Sequence, residues 1–232
     1  MRRSNGSTDL RRPRAADGGL EATFFDGDPR PTMRRVLLAA LEAFSEVGYH
    51  GTTTRDIARR AQVSAAGLYT HYSSKDALLG RIITVTHEAM LAEMRAVFAR
   101  PGDASGRLRE LVHAHARFHA THHTAARVAN YELQSLPAEK RAEIMVLRRD
   151  MEGVMGEALR LGIVSGDFDV PNPQLMTMSI LSLGIDVSRW YRPGKQLKPD
   201  DIGAHHADLV LRMVERREAR EPRRQAARRV AS

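Results

Sequence analysis

Six side chains between Thr53 and Lys75 are suited to holding a polyanion. Thr53, Thr54, Ser64 and Tyr69 carry hydroxyls, His71 an imidazole and Lys75 an ammonium. Hydroxyl, imidazole and ammonium donors clamp phosphates, and Thr54 and Lys75 stand where helix starts would add a favourable dipole. Arg55 offers different chemistry, because a guanidinium fork can bond two acceptors on a guanine edge. Ala65, Ala66, Gly67 and Thr70 lie in the same stretch. The alanine and threonine methyls can touch a thymine methyl, and Gly67 lets the backbone come close. No Arg, Asn or Gln accompanies them, so polar base readout falls to Arg55. Arg59 and Arg60 add positive charge beside it.

The other chemistry-bearing groups point elsewhere. His115, His119 and His123 step by four, with His113 and His122 nearby. Three histidines on one helix face cannot easily wrap a single ion, and no Asp, Glu or Cys completes a ligand set. A polar pocket wall or an exposed face is the better reading, and neither a metal nor a cofactor is called for. Catalysis needs a nucleophile with its base, or paired carboxylates at useful spacing. Neither pattern is present, so the chain does not read as an enzyme.

The elements that must position these groups are all helical. Asp56 follows Thr53 at capping-box spacing and predicts a helix from Thr54, with Ile57, Ala58 and Ala61 as its apolar face. Ser64 can cap a second short helix running from Ala65 to about His71. Ser73 and Asp76 repeat the capping-box spacing and launch a long third helix to Phe98. Two short helices joined by a tight turn have the geometry of a helix-turn-helix DNA reader, whose second helix enters the major groove. Upstream, Leu37, Ala40, Leu41 and Phe44 recur at helical steps after Pro31, and Gly48 ends that helix. Downstream, helices are expected over about 105–122, 125–134, 137–162, 173–190 and 199–214. Ile144, Leu147, Met151, Val154 and Leu161 form one apolar stripe, and Ile202, Leu209, Met213 and Val214 another. No strand-like alternation and no internal repeat is found.

Composition is consistent with a polyanionic partner. The chain has 232 residues, a formal net charge of +8 and an isoelectric point near 10.4. It has no cysteine, so disulfides and thiolate metal sites are excluded. No apolar run of membrane-spanning length and no secretory h-region occurs, which predicts a soluble cytoplasmic protein without membrane partners. The organisation expected is a disordered basic arm over 1–29, a reading head over 30–79, a second helical domain over 80–216 and an arginine-rich tail over 217–232. The arm's arginines could lie in an adjacent minor groove.

Residues matched at fixed offsets from Val36 to Leu79 resemble the TetR-type transcriptional repressors. They include Phe44, Gly48, Tyr49, Thr53, Thr54, Ile57, Ala58, Val63, Ser64, Leu68, Tyr69, His71, Tyr72, Ser74, Lys75, Leu78 and Leu79. Gln62 departs from the glycine usual between the two helices and suggests an adjusted turn. The resemblance implies an all-α protein with an N-terminal three-helix DNA-binding domain and a C-terminal helical domain for ligand binding and dimerisation. It further implies a homodimer on a palindromic operator, paired through residues 173–191 and 199–216 with small Ser182, Gly184 and Ser188 at the seam. A small-molecule effector would release it. Segments such as 127–133 and 189–192 resemble, more loosely, a subgroup that senses acyl-CoA thioesters. Met94, Phe118, Arg127, Tyr131, Arg148, Met151 and Met155 are the expected pocket residues, with Arg127, Arg148 and Arg149 as candidate partners for CoA phosphates. The alternatives are a constitutive DNA binder whose C-terminal domain only dimerises and, more distantly, a metal-dependent enzyme.

Overall fold

The computed structural model describes residues 31–194 and 196–215. The basic arm and the arginine-rich tail lie outside the described residues. Nine α-helices account for most of the rest: α1 Pro31–Gly51, α2 Thr54–Arg60, α3 Ala65–Tyr69, α4 Lys75–Phe98, α5 Ala104–Thr121, α6 His123–Tyr131, α7 Ala138–Ser165, α8 Pro173–Trp190 and α9 Pro199–Val214. A short 3-10 turn, Leu133–Ser135, follows α6. The described residues contain no strand, only one isolated antiparallel bridge between Phe168 and Glu215.

Local chemistry sets most helix ends. Thr53 caps α2 with the full capping box, its hydroxyl accepting from the Asp56 amide at 3.1 Å while Asp56 accepts from the Thr53 amide. Ser64 caps α3 by accepting from the Gly67 amide at 3.0 Å. The third expected box does not form. Ser74, one residue later than Ser73, caps α4 through the Ala77 amide, and Asp76 turns away to accept a hydrogen bond from the Tyr49 hydroxyl. α3 also stops two residues earlier than expected, because the amide of His71 pairs three residues back with Leu68 and tightens the chain. At Gly48 the backbone leaves the helix with φ +76°, as its position predicts, but one further helical turn follows before the chain enters α2.

Gln62 takes the left-handed conformation itself, with φ +56°. The Val63 amide reaches the Ala58 carbonyl at 3.0 Å and the Gln62 amide the Arg59 carbonyl at 3.2 Å, a complete Schellman ending for α2. The turn is therefore not adjusted to suit the missing glycine. Glutamine bears a strain of about 1 kcal/mol instead.

Two large apolar cores result, with a small third cluster of Ala120, Val187, Tyr191 and Ile202. The first gathers Val36, Leu37, Leu41 and Phe44 of α1, Ile57, Leu68, and Leu78, Leu79 and Ile82 of α4. It continues into Ala125, Val128 and Ala129 of α6 and Ile144 of α7, so it does not end at residue 79. The second packs Met90 and Met94 of α4 with α5, the later half of α7, α8 and α9. Within α7 the buried stripe follows Met151, Met155 and Leu159, displacing Val154 and Leu161 to partly buried positions. In α9 the inward face is Ile202, Ala207, Val210, Leu211 and Val214, while Leu209 and Met213 point outward. The reason is register: α9 turns its tighter, smaller face onto α5, where Gly203 lies against His113.

Candidate nucleic-acid interface and effector cavity

The helix-turn-helix presents one open surface. Thr53, Arg55, Ser64, Ala65, Ala66, Tyr69 and Thr70 are exposed, and Thr54, Gly67 and His71 are half-buried along the same edge. Leu68 alone anchors α3 inward. The Thr54 and Tyr69 hydroxyls lie 3.1 Å apart and bridge α2 to α3 at the face that α3 would turn to DNA. Thr70 donates its hydroxyl to the Ala66 carbonyl at 3.0 Å, leaving its methyl and lone pairs outward. Arg59 pairs with Asp56 and Arg60 with Glu46, the Arg59 side chain remaining largely exposed and that of Arg60 partly buried.

Lys75 has a structural duty. Its Nζ donates to the carbonyls of Tyr49 and Thr52 at 2.8 and 2.9 Å and lies 4.1 Å from the centre of the Tyr49 ring. The ammonium therefore caps the end of α1 with two of its three donors. Burial, reinforced by the Asp76 carboxylate it bonds to, pushes the Tyr49 hydroxyl up to about 12.

A cavity of about 150 Å³ lies within the second half of the molecule, between α4, α5, α6, α7 and α8. Phe118, Arg148 and Met151 line it. Met94 and Met155 are fully buried in the second core and do not reach the cavity. Arg127 and Tyr131 line a separate groove between α1, α6 and the end of α8, together with Arg189 and Arg192. Arg149 is exposed on the outer side of α7, so the three arginines expected to act together do not converge.

The cavity is also lined by Met90, His115 and His119, and by His87, Asn130 and Leu181, which the sequence did not single out. His115 and His119, four apart on α5, form the polar wall that their spacing suggested, with rings 4.5 Å apart. His123 instead packs against the Tyr191 ring. Burial pushes His87 and His119 down to about 4 and His115 well below the usual imidazole range. These rings are therefore neutral. The His87 Nδ1–H donates to the Ile83 carbonyl at 2.9 Å, which leaves Nε2 as an acceptor. The Nε–H of Arg148 donates to that Nε2 at 3.1 Å, and its Nη2 donates to the Asn130 Oδ1 at 2.8 Å. Asn130 is oriented in turn by donating to the Ala126 carbonyl. Among the described residues, no three His, Cys, Asp or Glu side chains gather as a metal site.

The outer surface of α8 and α9 is unusually apolar. Leu175, Met178, Leu183, Trp190, Leu209 and Met213 are all exposed. Gly184 and Ser188, expected at a seam between subunits, are buried inside the chain, Gly184 directly under the His115 ring. Of the small residues only Ser182 stays outward. No helix among the described residues is long and apolar enough to cross a membrane.

Comparison with known proteins matches both halves. The family model for bacterial regulatory proteins of the tetR family covers residues 36–82, and that for the tetracyclin repressor-like C-terminal domain covers 101–214. The HTH-type transcriptional repressor KstR2 of Mycobacterium tuberculosis is 29% identical over 183 residues, 76% of this chain and 89% of that protein. Its structure, described as a ketosteroid transcriptional regulator, superposes with a TM-score of 0.74 over 79% of this chain and 96% of that one. A tetR-family regulatory protein from Rhodococcus RHA1 is 36% identical, with a TM-score of 0.77 over 82% of this chain and all of that one. AibR, solved with isovaleryl coenzyme A and operator DNA, shares the fold at 21% identity, with a TM-score of 0.70 over 79% of this chain and 98% of that one. With two family models in register on the chain and a full-length relative above 30% identity, this protein belongs to the TetR family of transcriptional repressors, built on an N-terminal DNA-binding helix-turn-helix and an all-α C-terminal domain.

Proposed function

We propose that the protein is a homodimeric repressor that grips a palindromic operator through α2 and α3 and releases it when a small lipophilic effector fills the cavity. The observation that carries this reading is the span of α4. Its first turn, at Ser74 and Lys75, braces the reading head, and Thr86, His87 and Met90 of the same helix wall the cavity. Lys75 and His87 are about 18 Å apart along the helix axis. A ligand that moves the cavity end of α4 therefore acts on the head through one rigid element. The open cavity favours this reading over a C-terminal domain that only dimerises. Pairing of the apolar α8 and α9 faces with a second copy in a four-helix bundle would place two heads on successive major grooves.

The effector is an acyl compound, free or as a CoA thioester. A cavity of this volume takes a benzene-sized body, so a CoA nucleotide would stay outside it. In the bound complex Thr53, Thr54, Ser64, Tyr69 and His71 hold phosphates and Arg55 reads one or two base pairs. Genome-wide mapping of bound DNA tests the first part. It should return inverted half-sites, and Arg55→Ala should relax preference at one or two positions in each. Equal loss of affinity on every sequence would refute the role given to Arg55. Thermal shifts with short-chain acids and acyl-CoAs test the second, since a ligand of the folded state must raise its stability.

A further inference from the structure

Arg148 brings a guanidinium into the cavity wall, where the one carboxylate among the lining residues, Glu152, forms no ion pair with it. Among the described residues it has no ion pair, and its two bonds go to neutral acceptors, His87 Nε2 and Asn130 Oδ1. Two of its five N–H groups are thus used to orient the fork, and three are left. The orienting chain is itself fixed at both ends: His87 is held by the Ile83 carbonyl and Asn130 by the Ala126 carbonyl. Glu152, one turn further along α7, is exposed at the cavity's rim and lies beyond ion-pair distance. Removing a cation from water is costly, and burial lowers the Arg148 pKa, an effect that the Glu152 carboxylate offsets only in part. Met90, Phe118, Met151 and Leu181 make the apolar part of the wall, beside the polar part formed by Thr86, His115, His119 and Ser182.

We infer that the cavity is a receptor for a short free carboxylic acid, whose carboxylate docks on the Arg148 fork while its hydrocarbon body lies among Met90, Phe118, Met151 and Leu181. This rests on the effector reading above and narrows it. A thioester carbonyl is neutral and leaves the guanidinium uncompensated. A carboxylate neutralises it through charge-assisted, potentially bidentate bonds. The volume sets the size of the body at about that of benzene, hence an acid of roughly five to seven carbons.

The experiment uses the full chain and three probes of one skeleton: hexanoate, hexanamide and hexanoyl-CoA. Binding is read by thermal shift, and operator release by fluorescence anisotropy on DNA recovered from the mapping above. Hexanoate should raise the melting temperature and release DNA, while hexanamide binds at least about tenfold more weakly. Arg148→Gln keeps an N–H donor for His87 but loses the charge and the fork. It should still bind operator and should hold acid and amide equally. Retained operator binding certifies that this variant is folded, and Arg148→Lys, which keeps the charge without the fork, should retain part of the acid preference. Equal binding of acid and amide by the unaltered protein overturns the inference, as does an acid preference that survives Arg148→Gln. Hexanoyl-CoA acting where hexanoate is silent overturns it while leaving the effector reading intact. Silence of all three probes on a protein that binds its operator overturns the inference, and loss of operator binding by the unaltered protein strikes the repressor reading itself.

Discussion

The hydroxyl of Tyr49 donates to the carboxylate of Asp76, joining the last turn of α1 to the first turn of α4. Lys75 lies over the same ring and bonds the carbonyls beneath it, so one aromatic residue fastens the helix-turn-helix at both of its ends. Tyr49→Phe keeps the ring for Lys75 and removes only the bond to Asp76. Unfolding in urea should show a loss of about 1–2 kcal/mol, since a hydrogen bond to a charged partner is lost at a half-buried site.

The left-handed Gln62 offers the reverse effect. Gln62→Gly relieves the backbone strain and leaves the Schellman bonds in place, so stability should rise by about 1 kcal/mol, seen as a higher melting temperature with unchanged operator affinity. A fall in melting temperature would mean that the glutamine side chain holds the turn in some further way.

Gly184 backs the His115 wall of the cavity. A Cβ there would overlap the His115 imidazole, which lines the cavity on its other side. Gly184→Ala should cost about 1–3 kcal/mol by overpacking. The displaced ring should also narrow the cavity and abolish any thermal shift produced by a ligand, a result that loss of stability alone would not give.

The neutral histidines predict a pH dependence with a definite sign. In the unfolded chain an imidazole protonates near 6.5, while His87 and His119 in the fold stay neutral down to about 4. Between those values the unfolded state binds more protons, so their contribution is full above about 6.5 and is lost as the pH falls toward 4. Urea unfolding at pH 7.5 and pH 5 should differ by on the order of 2 kcal/mol for each of these two residues. Replacing His87 with Gln should remove its share of that difference.

The parts of this fold governed by near neighbours were legible in the chain. Thr53 with Asp56, Ser64, Pro173 and Pro199 act within one helical turn of themselves, and each starts a helix where its spacing predicts. Ser73 misled for the opposite reason: its capping partner Asp76 is claimed by Tyr49, twenty-seven residues away in sequence. The cavity was only partly legible. Met94, Met151 and Met155 are chemically alike, but which of them faces a void depends on how five helices lean together. Arg148 and Arg149 differ by one position on α7, and that single step separates a cavity wall from open water. The histidine spacing at 115 and 119 did mark a polar wall, while His87, on another helix, gave no comparable signal.

One packing fact bears on how such a protein could be taken apart. The core under α1 is closed from behind by Ala125, Val128 and Ala129 of α6, residues more than forty positions beyond the end of the helix-turn-helix. The DNA reader is consequently not a detachable cartridge. Excised at residue 79 it would bare the apolar back of α1 to water, and a transplant onto another sensor would need α6 in the graft, or a substitute that fits the same seat.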